Sequence, residues 1–273
     1  MNTENNIIQF MHPGGYNRRE GEFRRNRKSH KRKFIKTDIL FINETGLSEN
    51  ERGYFWGEWE APSKAKREVF NGIKYYVHKL FIPLTENDRA GITSDNCNFG
   101  CNSKSDGPLN TDPYVFGKHF YYSNCMQNKY PSLKNLKEND IIIFGSRLNG
   151  VFVLDTVFVV DCVAEETEYS DCFESVTLNL LADKSNYRIY KGKMYNEKSN
   201  KNEIYSFFPC SNKPFDRPAL DLKYITKQKQ GIHYIKEKSS EEVWNDIVAA
   251  VKSNGLQIGV WAKEPEKEKI NYE

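Results

Sequence analysis

The stretch DIIIFGSRLNGVFVLDTVFVVDCVAE, residues 140–165, decides the fold. Two runs dominated by Ile, Val and Phe, Asp140–Ser146 and Gly150–Glu165, flank the connection Arg147-Leu148-Asn149-Gly150. An Asn-Gly pair between β-branched runs signals a tight hairpin, because both residues accept the left-handed backbone the turn needs. Runs with so little polar alternation predict strands buried on both faces, and hence a central hairpin.

Working outward, IIQFM (residues 7–11) reads as a short buried strand ended by His12-Pro13-Gly14-Gly15, where Pro and paired Gly enforce a turn. The segments FIKTDILFINE (34–44), GYFWGEWEAP (53–62) and IKYYVHKLFIP (73–83) carry the β-branched and aromatic content of strands. YRIYKGKMY (187–195) and EIYSFFP (203–209) are further candidates, with polar NEKSNKN (196–202) between them as an exposed hairpin tip. Ser239 with Glu242 three residues later forms a capping box, and Val243, Ile247, Val248 and Val251 recur at helical spacing up to a stop at Gly255. LQIGVWA (256–262) follows as a last strand and residues 263–273 as a frayed tail. The expected architecture is α+β and mostly β: a twisted or barrel-like mixed sheet with a few helices, in one domain over residues 1–262 with long loops.

Charged residues make up 28% and mean hydropathy is −0.74, yet aromatics reach 14%, enough large apolar surface to drive folding. No run of about 18 apolar residues occurs, and MNTENNIIQFMHPGG lacks the plan of a signal peptide, which predicts a cytoplasmic protein without membrane contact. Six cysteines are too few for a disulfide scaffold at this length and are expected reduced. Net charge is only +3, but ten Lys or Arg fall between Arg18 and Lys36 against Glu20 and Glu22. This strip (18–36), with Arg24, Arg25, Lys31, Arg32 and Lys33 at its centre, reads either as a solvated, self-repelling loop or as a phosphate-binding arm that releases counterions from nucleic acid. Residues 85–110, rich in Asn, Ser, Gly and Asp, read as a long loop of the kind that closes over sites.

The densest polar motif is Asn110-Thr111-Asp112-Pro113-Tyr114-Val115-Phe116-Gly117, followed by His119 and Tyr122-Ser123-Asn124-Cys125-Met126-Gln127. Asp112 is a candidate to activate water or stabilise a cationic sugar, with Asn110 beside it and His12 to polarise a departing base. Tyr114 and Phe116 offer stacking faces, and Asn124 and Gln127 offer base-reading edges. The competing reading makes Asp112 the cap of a helix opened by Pro113. In Phe55-Trp56-Gly57-Glu58-Trp59-Glu60, strand alternation puts Trp56, Glu58 and Glu60 on one face, an aromatic and acidic wall for a base; alternatively both Trp residues fill the core. Cys97, Cys101, His78, His119 and Cys125 lack paired zinc-ligand spacing, so neither metal nor cofactor is expected. Gly-rich phosphate loops, HExxH and GxSxG are missing, which argues against kinase, P-loop and hydrolase-elbow chemistry.

Asp112-Pro113-Tyr114 resembles part of the Gln-Asp-Pro-Tyr-His motif of uracil-DNA glycosylases, with Asn110 displaced by one position and His12-Pro13 in place of the family's His-Pro-Ser. Here His12-Pro13 precedes the Asp motif, Gly14 stands for Ser, and the family's alternation of strands and helices is missing. The resemblance therefore carries over a role for Asp112 alone. The segment 55–60, together with residues 136–146 and Gly150-Val151-Phe152, looks like the EVE and YTH branch of the PUA-like domains, small barrels that recognise modified bases. Asn139 stands where that pattern has Gly. The order of HPGG, FWGEWE, NTDP-x-VFG, YSNC and DTVFVV elements is also similar to a group of uncharacterised bacterial proteins.

These features predict a nucleic-acid partner, DNA favoured over RNA, and recognition of an extruded, modified base. The favoured reaction is hydrolysis of an N-glycosidic bond. A non-catalytic reader of modified bases, or an enzyme acting on free nucleotides, uses nearly the same residues. Protein partners are not indicated.

Overall fold

The structure, a computed structural model, describes residues 5–12, 32–43, 46, 48–60, 63–81, 111–123, 130–180, 188–197, 203–227, 231–264 and 266–267, and the fold is stated for these. In chain order the strands are β1 (Ile7–Met11), β2 (Lys33–Ile42), β3 (Ser48–Gly57), β4 (Ser63–Phe70), β5 (Ile73–Phe81), β6 (Tyr121–Tyr122), β7 (Ile141–Leu148), β8 (Val151–Val163), β9 (Tyr190–Gly192), β10 (Phe208–Ser211), β11 (Gly231–Ile235), β12 (Gln257–Ala262) and β13 (Glu266–Lys267). The α-helices are α1 (Asp171–Val176) and α2 (Ser240–Ser253). A mostly-β, α+β domain is thus what the strand patterns specify.

One sheet runs β11-β1-β7-β8-β9-β6 and the other β12-β10-β3-β2-β5-β13, with β4 on β5. Both are mixed: β1 runs parallel to β7, and β5 parallel to β2 and β13, among otherwise antiparallel pairs. β12 pairs with β2 as well as β10, so β2, β3, β10 and β12 close a ring of pairings, the barrel-like part of the second sheet. The β7–β8 hairpin is central to the first sheet and turns at Asn149 (φ 50°) and Gly150 (φ 84°), the left-handed pair that an Asn-Gly turn requires. Asn139 is also left-handed, at φ 64°.

Ile8, Phe10, Ile142, Phe144 and Phe158 of the first sheet pack against Ile35, Phe55 and Phe208 of the second, and Trp59, Tyr114, Phe116 and Phe120 extend that core. A second cluster fills the space under α2, whose Val243, Trp244, Ile247 and Val251 are buried. The Ser239 hydroxyl accepts the Glu242 N–H and the Glu242 carboxylate accepts the Ser239 N–H, completing the capping box at the predicted residue. A smaller aromatic group, Phe34, Tyr54, Trp56, Tyr75 and Val77, joins β2 and β3 to β5.

Two expectations change, and one further strand appears. β9 and β10 do not pair with each other: β9 pairs with β8 and β6, whereas β10 pairs with β3 and β12 in the other sheet, and the two runs touch where the Ser206 N–H donates to the Lys193 carbonyl. The chain crosses between sheets there because Phe208 is needed in the core beside Phe55 and Phe120. Residues 263–273 are not merely a tail, since Glu266 and Lys267 pair with Leu80 and Phe81. The charged segment SKAKREVF forms β4, joined to β5 through Asn71 (φ 49°) and Gly72 (φ 76°). Its polar sequence hides the strand, and the Asn-Gly turn reveals it.

Candidate functional site

The two sheets meet at a seam where several strand ends carry buried polar groups. At the register Lys33↔Gly57, β2 begins as β3 ends, so Arg32 and Glu58 are neighbours just outside the ladder. Arg32 is only 1% exposed; its Nη1 lies 3.0 Å from Glu58 Oε2, and its Nε donates to Asp155 Oδ2 at 2.6 Å. Arg217 Nη1 donates to Asp155 Oδ1 at 2.9 Å and to the Ser146 hydroxyl at 3.0 Å. Burial by itself lowers the Arg32 pKa, but Asp155, then Glu58 and Glu60, outweigh it and hold the guanidinium charged above its ordinary range.

Asp155 reaches this position through a bulge. Phe144 is opposite Thr156 while Gly145 is opposite Leu154, which leaves Asp155 as the extra residue of β8. A Cβ on Gly145 would stand 2.3 Å from the Val153 carbonyl oxygen and 2.4 Å from the Phe152 ring, so the bulge demands glycine opposite it. The Leu154 N–H donates to the Pro218 carbonyl and the Leu220 N–H to the Phe152 carbonyl, which lays Arg217 alongside Asp155. His12 enters from the first sheet: its N–H extends the β1–β7 ladder by donating to the Gly145 carbonyl, and its Nδ1 is 3.7 Å from Glu58 Oε2.

The Asp112 segment joins the same place. The Glu60 N–H donates to the Thr111 hydroxyl at 3.1 Å, and the Thr177 hydroxyl at the end of α1 donates to the Thr111 carbonyl. Asp112, buried at 6% exposure, accepts the Ser123 N–H at 2.8 Å. Asp112-Pro113 is a cis peptide and no helix starts there; the chain instead makes a two-way Tyr114–Tyr121 bridge, so the helix-cap reading is overturned. The Tyr114 hydroxyl donates to Glu264 at 2.7 Å, and burial first, then Cys172 and Glu264, drive its pKa well up.

The seam therefore unites His12, Arg32, Glu58, Glu60, Asp155 and Arg217, an acid-rich, largely enclosed set, with Asp112 adjoining it through Thr111. Such a set can hold charges in a low-dielectric setting, pass a proton through imidazole and stabilise a developing cation with carboxylate. His12 and Glu58 meet here, and the Asp112 segment is tied to the same stretch through the Thr111 hydroxyl and the Glu60 N–H.

Other expectations fail. Arg32 and Lys33 were expected in an exposed phosphate-binding strip; both are buried, Arg32 because Asp155 and Glu58 neutralise it. Trp56, Tyr114 and Phe116 were expected to stack on a base; all three are core residues. Trp56 packs on Phe34 with its indole N–H donating to the Phe215 carbonyl, and Phe116 sits among Phe55, Trp59 and Tyr114. Asn110, Asn124, Gln127, Arg24, Arg25 and Lys31 lie outside the described residues, as do strip residues 18–31, residues 85–110 and Cys97, Cys101 and Cys125.

Asp155, Arg217 and Ser146 are the partners that local pattern misses. Asp155 had a usable signal, a carboxylate in the middle of a largely apolar thirteen-residue strand, which must find a buried partner. Among the described residues no helix is long and apolar enough to cross a membrane, and no group of three or more His, Cys, Asp or Glu side chains is arranged to hold a metal ion. Comparison with protein-family models, with curated proteins and with solved structures finds no match for this chain.

Proposed function

We propose that this protein acts on nucleic acid, DNA in preference to RNA, by hydrolysing the N-glycosidic bond of an extruded, modified nucleotide. The observation that supports this reading is the buried His12–Glu58–Arg32 cluster, to which the Asp112 segment is tied through the Thr111 hydroxyl and the Glu60 N–H. Asp112 takes a proton from the attacking water and stabilises the cationic sugar as the bond from C1′ to the base nitrogen breaks. Protonated His12, held by Glu58, gives its proton to the departing base. Arg32 keeps Glu58 in place, the Glu60 N–H fixes Thr111 next to Asp112, and Asp155, itself held by Arg217, anchors Arg32. Asn110 remains a candidate to assist Asp112, and Asn124 and Gln127 remain the candidates to read the base edge. Stacking is not assigned to Trp56, Tyr114 or Phe116, which the core holds. A cytoplasmic location belongs to the same proposal; the described Cys162, Cys172 and Cys210 are free thiols.

The phosphate contacts fall to Arg24, Arg25 and Lys31, without Arg32 and Lys33. Replacing those three with Gln is expected to flatten the salt dependence of DNA binding by about 2 to 3 in logarithmic slope. Binding that ignores salt would reject the arm. For the chemistry, Asp112→Asn is expected to leave DNA affinity within about threefold and to abolish release of base, whereas release that survives it removes Asp112 from the mechanism. A second reading, a non-catalytic reader of modified bases, is favoured by the pairing of Glu58 and Asp155 with guanidiniums, which suits fixed recognition as well as turnover. Tight, modification-dependent binding by wild type without any base release would select it.

A further inference from the structure

The β4–β5 hairpin lies outside the candidate site and has two unusual features. Its tip exposes Val69 (62%) and Ile73 (53%), two of the most exposed large apolar side chains among the described residues, with half-buried Phe70 between them. Behind the tip, Lys66, Arg67 and Lys74 are exposed. The acid of this segment, Glu68, accepts from the Tyr54 hydroxyl at 2.7 Å and pairs with Lys36 at 3.5 Å, so it does not neutralise the basic shoulders.

The hairpin is firmly mounted. Tyr75 and Val77 on its inner face are buried with Phe34, Tyr54 and Trp56, and Val77 is in register with Phe34 of β2. Continuing that parallel register sets Tyr75 opposite Arg32 and carries the turn at Asn71-Gly72 beyond it. With about 3.3 Å per residue, Ile73 lies roughly 7 Å past Arg32. Because β3 runs antiparallel to β2, this is also the end at which Glu58 leaves the sheet. The register therefore carries the hairpin tip beyond the strand ends at which Arg32 and Glu58 lie.

We infer that the β4–β5 hairpin is a wedge for duplex nucleic acid: Lys66, Arg67 and Lys74 grip phosphates, and Val69 and Ile73 enter the stack beside the extruded nucleotide. Exposed aliphatic side chains favour leaving water, and an unstacked base step offers an apolar slot. Cationic shoulders match phosphates on either side of that slot, and charge complementarity selects nucleic acid over a neutral protein surface. This rests on the proposal that the protein handles nucleic acid.

The test uses the full chain and a short synthetic duplex carrying 2-aminopurine, whose fluorescence rises when it is unstacked. Binding is followed in parallel by anisotropy with the duplex and with the same strand single. Val69→Ser with Ile73→Ser is expected to hold single-strand affinity within about twofold while losing most of the 2-aminopurine rise on the duplex. Lys66→Gln, Arg67→Gln and Lys74→Gln together are expected to weaken duplex binding about tenfold or more and to cut the salt slope by about 2 to 3. The substituted side chains are exposed, and unchanged melting of each variant confirms its folding. A tip variant that unstacks the duplex like wild type overturns the wedge, as do shoulder variants that bind like wild type. So does tip-dependent sedimentation with anionic lipid vesicles alongside tip-independent duplex binding, which would make the hairpin a membrane contact. If wild type binds neither strand form, the nucleic-acid reading fails before the hairpin is reached.

Discussion

Asp155→Asn is the sharpest test of how the seam is held. The carboxylate is 3% exposed and serves two guanidiniums, Arg32 Nε at 2.6 Å and Arg217 Nη1 at 2.9 Å. Its neutral isostere keeps the volume but removes the charge between two buried cations. Breaking a buried pair from one side costs about 3 to 5 kcal/mol, and with two cations left facing a neutral group the upper half of that range, about 4 to 5 kcal/mol, is expected. With a urea m-value near 3 kcal/mol/M, the unfolding midpoint falls by about 1.5 M. Arg217→Met supplies the control: in that background Asp155→Asn strands one guanidinium fewer, and its cost drops by about 1 to 3 kcal/mol. Equilibrium urea unfolding followed by tryptophan fluorescence measures all four proteins. A midpoint shift below about 0.3 M for Asp155→Asn, or strict additivity in the cycle, would refute the buried triad.

Gly145→Ala forces a methyl to within 2.3 Å of a backbone oxygen opposite the bulge, and is expected to cost about 3 kcal/mol in a thermal melt; a melt like wild type contradicts the bulge. Ser239→Ala removes the hydroxyl that accepts the Glu242 N–H and is expected to lower stability by about 1 kcal/mol, so an unchanged urea midpoint argues against the cap. Burial first, and then Lys191, disfavours the His119 imidazolium, so its NMR titration midpoint is expected below 6.5. The sign follows from linkage: with the folded pKa depressed, the stability from His119 is complete above pH 6.5 and is lost as pH falls through the folded midpoint. His119→Gln should flatten that acid-side decline, and a midpoint at or above 6.5 refutes the assignment.

Local chemistry made much of the fold legible. The Asn-Gly pair at 149–150 and the Ser239 capping box each act over a few residues, and both structures form where their chemistry says. The same logic at Asn71-Gly72 marks the β4–β5 turn, although the charges of β4 obscure the strand itself. Arg32 shows what local pattern cannot resolve. In sequence it continues the run that includes Arg24, Arg25 and Lys31; in space it belongs to Asp155, 123 positions away, and to Glu58 across a ladder. Burial of a charge is decided by such distant partners. Trp56, Tyr114 and Phe116 fail as stacking faces for a related reason. An aromatic side chain has the same composition whether it meets a base or Phe34 and Phe55, and only the packing of two sheets distinguishes the cases. His12, Glu58 and Asp112 are legible as candidates because a polar group at a strand end or turn stands out locally, while the Arg32–Asp155–Arg217 frame that holds Glu58 does not.

The most direct measurement is release of free base. Purified protein is incubated under single-turnover conditions with duplex DNA carrying a panel of modified bases, and the products are read by mass spectrometry and by cleavage at abasic sites. Release of one modified base, matched by abasic sites and lost in Asp112→Asn, is the predicted result. Intact DNA across the panel, despite tight binding by a folded protein, would contradict glycosidic hydrolysis.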